Sequence, residues 1–345
     1  MELQSCFSPE GALLGSPQNT AAIGTEAGLR EAMMTGQRLE ARVRVCDGGH
    51  NLHVELPCMR GLIPRSEGAL GISEGTTRDI ALISRVNKPV CFSVLRIEHS
   101  EDGTPYAVLS RRLQQEHCRD GYISRLQPGD VIPARVTHLA PFGCFVDIGC
   151  GVPSLIPIDA ISVSRISHPA DRFRVGEEIR VMVKGFENGR ILLTHKELLG
   201  TWEENAACFS PGETVAGIVR SVEDYGVFIE LAPNLAGLAD LRPDVRAGQH
   251  ASVYIKSIVP DRMKIKLAIV DVFDEAAVPP PVHYFFSGDH MDEWVYTPPQ
   301  AKRRIATYFS SERTGGEPPR AFSFGRAVPA PISLRAPAAE DSQST

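Results

Sequence analysis

The stretch GDVIPARVTHLAPFGCFVDIG, Gly129 to Gly149, has a counterpart in GETVAGIVRSVEDYGVFIELA, Gly212 to Ala232. The two align at a constant offset of 83 without a gap. A Gly-acid pair opens each, Val136 faces Val219, and Phe142-Gly143-Cys144-Phe145 faces Tyr225-Gly226-Val227-Phe228. Self-similarity at a fixed period takes precedence over any other reading of a chain, because each copy is one structural unit.

The likeness continues downstream, where FRVGEEIRVMVKGFENGRILLTHKE pairs with VRAGQHASVYIKSIVPDRMKIKLAI. Alternation in EIRVMVKGF puts Ile179, Val181 and Val183 on one face and Arg180, Met182 and Lys184 on the other, as in a half-buried strand. Glycine and proline punctuate such runs at the short intervals of an all-β barrel or sandwich. Five strand candidates per unit suit a small closed Greek-key barrel of the OB type. A looser third copy begins at Gly36. Anchoring Val54-Glu55-Leu56 on Val146-Asp147-Ile148 puts His50 where Phe142 stands and His53 where Phe145 stands. GLIPRSE, Gly61 to Glu67, then matches SLIPIDA, and an insertion from Gly68 to Asn87 lengthens this copy.

The expected fold is therefore all-β: three tandem five-stranded OB-type barrels, the first divergent, with short helical linkers. The expected boundaries are a flexible N-terminus at 1–29, barrels at 30–125, 126–200 and 209–275, and a largely disordered tail at 276–345. The tail holds ten prolines, a composition that does not build a core. Within it, residues 283–311 gather Phe285, Phe286, Trp294, Tyr296, Tyr308 and Phe309 beside Lys302-Arg303-Arg304. This aromatic island either packs back on the third barrel or docks a protein partner.

The net charge of −6 is not that of a strongly basic nucleic-acid binder. It argues against binding through phosphate alone and leaves room for a binder that stacks on bases. No apolar run is long enough for a membrane-spanning helix. The first 28 residues hold Glu2, Glu10 and Glu26 and no Lys or Arg, unlike a secretory or transit signal. The eight cysteines form no C-x-x-C pair, which argues against a disulfide framework or zinc ribbon. A reducing, cytoplasmic setting without a membrane is expected. Cys46, His50, His53 and Cys58 stand as C-x3-H-x2-H-x4-C, a spacing that fits no familiar zinc finger, so no metal is assigned. No nucleophile elbow, zinc-protease or phosphate-loop motif occurs; the expectation is a non-enzyme without cofactor.

The recurring Gly-acid-x-Val, Phe-Gly-x-Phe-Val, Gly-Leu-Ile-Pro, Val-Gly-Glu-x-Ile and Gly-Arg-Ile-x-Leu, closed by LLGTWEE, resembles the S1 RNA-binding domain. This is the OB-type repeat found in a large bacterial small-subunit ribosomal protein. The resemblance is close over 129–275 and looser over 36–112. It implies binding of single-stranded RNA or mRNA and a part in translation at the small ribosomal subunit. It also implies a base-stacking platform at Phe142 and Phe145, at Tyr225 and Phe228, and in degenerate form at His50 and His53. Read from the residues alone, the two phenylalanines are either core or an outer surface. For them to share the outer face a bulge is needed, and Gly143 is the natural place for it.

The family's histidine after the third strand is replaced by Pro64, Pro157 and Asp240. The position of its basic residue at the start of the last strand holds Arg190 in the second copy, Lys264 in the third and, in the first, Tyr106, another candidate stacker. Lys184 and Lys256 match on the fourth strand; like Arg190 and Lys264 they would meet phosphates. Two rivals stay open: a protein-interaction scaffold built of degenerate barrels, and an accessory factor in RNA turnover. The missing histidines and the acidic third copy favour the scaffold.

Overall fold

A computed structural model describes residues 7–187, 190–274 and 281–309. Strands β1 (Leu39–Cys46), β2 (Leu52–Glu55), β3 (Arg60–Ile63), β4 (Pro89–His99) and β5 (Pro105–Ser110) close the first barrel in the order β1-β2-β3-β5-β4. The second comprises β6 (Val131–Ala140), β7 (Gly143–Asp147), β8 (Pro153–Pro157), β9 (Glu178–Glu187) and β10 (Arg190–Thr194). The third comprises β11 (Thr214–Glu223), β12 (Gly226–Ala232), β13 (Leu235–Ala239), β14 (His250–Val259) and β15 (Lys264–Phe273). All three share one topology, with a parallel pairing of third and fifth strands and antiparallel pairing elsewhere. Fold class and tandem arrangement are as the repeat predicts. None of the described helices is long and apolar enough to cross a membrane.

The segment expected to be a flexible N-terminus is folded from residue 7. Helices α1 (Pro17–Gly24) and α2 (Glu26–Thr35) precede the first barrel. Ser16 caps α1 by accepting from Asn19 N, and Thr25 caps α2 by accepting from Gly28 N, each side chain satisfying a backbone donor the helix leaves unpaired. Asn19 then exchanges two hydrogen bonds with the backbone of Glu40 in β1, at 2.9 and 2.8 Å. The Glu40 carboxylate accepts from Gly11 N and Leu13 N. These bonds stitch the segment to the barrel through polar groups, so apolar periodicity gives no sign of it. Leu29, wholly buried, joins the first barrel's core.

A buried ion pair ties the first barrel to the second. Two helices follow in the chain, α3 (Ile80–Ile83) in the insertion and α4 (Arg111–Gly121) after the barrel. Arg111 opens α4, and Glu10 accepts from its Nε at 2.6 Å and its Nη2 at 3.0 Å, and from Cys91 N in β4. Glu10 N in turn donates to Asp147 Oδ2 at 2.7 Å at the end of β7. Burial alone would raise the Glu10 pKa, but the Arg111 and Arg85 guanidinium groups hold it below the usual value. Burial, and then the Glu10 charge, push Asp147 up to about 7. Gly151 lies against the pair, where an added Cβ would stand 1.9 Å from Arg111 Nη2.

The second and third barrels meet across a linker holding α5 (Trp202–Ala206), closed by a Thr201–Glu204 capping box. Trp202, Leu198, Val131 and Met182 pack into one core cluster with Val219, Ile229 and Leu267 of the third barrel. Met182, outward by alternation, is thus covered by the neighbouring barrel. A second buried ion pair, Arg172 with Glu230 at 2.5 Å, is shared with Arg220 at 2.7 Å. Asn234 donates to Lys196 O and Gly200 O.

The expected disordered tail is in part a folded arm over 281–309; the remainder lies outside the described residues. The Tyr284 hydroxyl accepts from Arg180 N in β9, and Arg180 donates to Phe286 O and Gly288 O. Trp294, Tyr296 and Phe309 are buried in the cluster between the second and third barrels. Of the two readings of the aromatic island, packing on the barrels is the one observed. His195 is sealed under this arm. Its Nδ1–H donates to Ile161 O at 3.0 Å, so its Nε2 is the acceptor for the Tyr284 hydroxyl at 3.3 Å.

Removing one partner of a buried ion pair costs about 3–5 kcal/mol, whereas an exposed pair contributes about 0–1 kcal/mol. Glu10→Ala is therefore expected to lower the urea midpoint far more than Glu26→Ala, which breaks the exposed Arg30–Glu26 pair. Equal shifts would show that the junction is not held by this pair.

Burial lowers the His195 pKa to about 4, while the unfolded side chain titrates at the ordinary histidine value of 6.5. The folded pKa is the lower one, so its contribution to stability is full above 6.5 and is lost as pH falls toward 4. The loss runs at up to about 1.4 kcal/mol per pH unit. Wild type should lose stability relative to His195→Gln between pH 6.5 and pH 4, measured by urea unfolding at each pH. Parallel pH curves for the two proteins would contradict a neutral buried imidazole.

Candidate nucleic-acid interface

Each barrel carries a bulge at the same place in its first strand. It falls between Val43 and Val45, between Val136 and His138, and between Val219 and Ser221. One residue beyond the bulge, the strand faces His53, Phe145 or Phe228 on the second strand. From there the register continues across the outer surface. In the second barrel the row is His138, Phe145, Leu155, Leu192 and Gly185. In the third it is Ser221, Phe228, Leu238, Lys266 and Ser257. In the first it is Val45, His53, Leu62, Val108 and Arg96, with Val108 buried, so this row is covered at its centre. Cross-strand partners project to the same side of a sheet, so each row is a continuous stripe.

Phe142 lies in the turn before β7 and is 58% exposed. Its ring meets Phe145 edge-on, with centroids 5.9 Å apart at 87°. The His138 ring also lies 5.9 Å from Phe145, tilted by 37°. The third barrel repeats the pair: Tyr225, 70% exposed, meets Phe228 at 6.1 Å and 88°. None of these four rings belongs to a barrel's core cluster. The expected bulge at Gly143 is corrected: the bulge is on the opposite strand, and Phe142 reaches Phe145 from the turn. Glycine is needed for a different reason. A Cβ at Gly143 would stand 2.5 Å from Ile156 O, and one at Gly226 would stand 2.6 Å from Ala239 O. The third strand crosses too closely for any side chain.

The expected phosphate-binding cations lie on exposed positions, but their surroundings differ. Lys184 in β9 and Arg190 at the start of β10 border the second stripe. In the third barrel Lys264 is exposed, whereas Lys256 donates to Asp240 at 3.0 Å. Asp240 thus stands beside one of the barrel's cations, in an ion pair exposed to solvent. Lys266, not among the residues expected from sequence, sits within the third stripe itself. The alternation of KIKL is the signal that points to it.

In the first barrel the site positions are engaged by acids. His53 Nε2 is 3.0 Å from Asp47 Oδ2. His50, in a turn at φ 61°, has its Nδ1 3.7 Å from Asp79. Tyr106 donates its hydroxyl to Glu98 at 2.6 Å. The hydrogen bond from His53, with those from Asn51, holds Asp47 down at about 2. Cys58, the outer member of the cysteine-histidine pattern, donates its thiol to Ile23 O. Among the described residues, no group of three metal-ligating side chains converges.

Residues 125–196 match the family model of the S1 RNA binding domain. Small ribosomal subunit protein bS1 of Leuconostoc lactis is 28% identical over 252 residues, covering 68% of this chain and 56% of that protein. The bS1 protein of Staphylococcus epidermidis is 30% identical over 193 residues, covering 51% of this chain and 49% of that one. The bS1 homolog of Bacillus subtilis is 28% identical over 293 residues, covering 81% and 72%. The chain thus spans about half the length of several curated relatives it matches. The second barrel therefore carries an S1 RNA-binding domain, and the tandem barrels together resemble small ribosomal subunit protein bS1.

Proposed function

We propose that this chain binds single-stranded RNA, mRNA among it, through the outer stripes of its second and third barrels, and acts in translation at the small ribosomal subunit. The observation that carries this reading is the ring group His138, Phe145 and Phe142 on the surface of a barrel that matches the S1 RNA binding domain. Bases stack on such faces whatever their sequence, at about 1–3 kcal/mol per base. Lys184 and Arg190 stand beside the stripe for the phosphates, and such contacts position a strand without reading it. The bS1 relatives support the ribosomal setting.

The barrels are unequal under this reading. The second has both rings and both cations. The third has the rings and Lys264 and Lys266, with Lys256 held by Asp240. The first has histidines bound by acids in place of the rings, which makes it the weakest RNA binder or a protein-facing module. Any scaffold role belongs most naturally there. The chemistry proposed is reversible capture by a non-enzyme in the cytoplasm.

The test is a titration of the intact chain with labelled unstructured RNA. Phe142→Ala with Phe145→Ala should weaken binding by about 5-fold or more with an unchanged melt, since the rings lie outside the core cluster. Tyr225→Ala with Phe228→Ala should cost less. An unfolded first variant, or a larger loss from the second, would contradict this ranking.

Salt tests the balance of forces. Each phosphate neutralised on a single strand contributes about −0.7 to the log–log salt slope. Few cations border the stripes, so the slope expected is shallow, about −2 to −4. Absence of RNA binding at low salt would leave the scaffold as the surviving reading.

A further inference from the structure

The arm ends in a hairpin that the barrel stripes do not use. Strand β16 (Glu293–Val295) pairs with β17 (Ala306–Tyr308) in the register Glu293↔Tyr308, Trp294↔Thr307, Val295↔Ala306. One side of it is anchored. Trp294, Tyr296 and Phe309 are buried among Leu198, Trp202 and the third barrel's core. The Tyr296 hydroxyl donates to Asn234 O at 2.7 Å, Trp202 N donates to Tyr296 O at 3.0 Å, and Thr307 Oγ1 donates to Glu197 at 3.2 Å. The hairpin is thereby fixed to the linker between the second and third barrels.

The other side is presented to solvent. Lys302, Arg303 and Arg304 are exposed, and Tyr308 is 59% exposed. They are the chain's only three consecutive cations, in a protein of net charge −6. Arg304 is engaged within the hairpin, where it donates to Glu293 at 2.6 Å and lies 5.8 Å from the Tyr308 ring centroid. The guanidinium thus lies over part of the Tyr308 ring, which still leaves the residue 59% exposed. Lys302 and Arg303 form no ion pair with a described residue.

We infer that this hairpin is a further single-stranded RNA contact, with Lys302 and Arg303 binding phosphates and Tyr308 stacking on a base. The inference rests on the RNA-binding reading of the barrels and extends it to an element outside them. A nucleotide uses the cations through its phosphate and the exposed ring through its base, the same pairing of rings and cations that the second and third barrels present. Because the hairpin is anchored to the barrel linker, a strand already held by a barrel meets it at a raised effective concentration.

The experiment titrates the full chain with a labelled oligouridylate long enough to reach beyond one barrel, over a salt series. Three forms are compared: wild type, Lys302→Ser with Arg303→Ser, and Tyr308→Ala. All three side chains are exposed, so melts should be unchanged. The double variant should bind more weakly and lose about 1.4 from the magnitude of its salt slope, two phosphates at about 0.7 each. Tyr308→Ala should weaken binding about 5-fold without altering the slope. Wild-type affinity and slope in both variants would overturn the inference and leave the patch to a protein partner. If those variants bind normally while Phe142→Ala with Phe145→Ala does not, only the hairpin proposal fails. No binding by the unaltered chain overturns both this inference and the barrel reading.

Discussion

The carboxylate of Glu10 is buried, and everything around it must arrange itself to match that charge. An isolated charge in a protein interior is too costly to keep. Here it is met by Arg111 from the linker helix and Cys91 N from the first barrel. Its own backbone N–H then reaches Asp147 in the second barrel. Asp147 also accepts from Gly149 N and Gly151 N in the turn that follows β7. Four segments distant in sequence are thereby held at one point. Rotation of the first barrel against the second would leave buried charges unpaired. The other junction repeats the device with Arg172, Arg220 and Glu230, and adds an apolar contact through Trp202 and Met182.

Within that frame the outer stripe is set by a local feature. A strand's side chains alternate, so an extra residue in β1, β6 and β11 re-aims everything after it. That shift places His138 opposite Phe145 and Ser221 opposite Phe228. The turn before β7 supplies the other ring, and the missing Cβ at Gly143 lets β8 close in beneath it. The stripe is therefore a product of register, and its chemistry is free to vary. Rings, lysine and histidine occupy equivalent rows in the three barrels without disturbing the cores.

The barrels are legible in the sequence because the repeat carries both period and alternation, and Phe142 and Phe145 are legible as a pair. The bulge is not, because Thr137 and Arg220 look like ordinary strand residues. The same blindness hides His138, whose facing is decided by the bulge alone. Met182 alternates outward as expected; only the position of the next barrel shows that its outer face is covered. The N-terminal segment looks flexible in sequence for a physical reason: Asn19 and Glu40 fasten it with hydrogen bonds, and polar stitching has no sequence period. Lys256 looks like a free cation because its partner Asp240 lies 16 residues away, a distance that only strand pairing closes.

The rigid junctions bear on how such an array would hold RNA. Modules on flexible linkers reach many spacings but must lose that freedom when a second module engages. Here the ordering of one barrel against the next has been settled during folding, by buried ion pairs and a shared core. Binding then does not carry that entropic cost again, which favours affinity when individual contacts are weak. The same rigidity restricts what is captured. Under the proposed function, a strand held by more than one barrel would have to span the fixed distance between stripes, which extended, unstructured RNA would do more readily than folded RNA. Selectivity of this kind comes from the geometry of the array, and it needs few base-specific contacts on any single barrel.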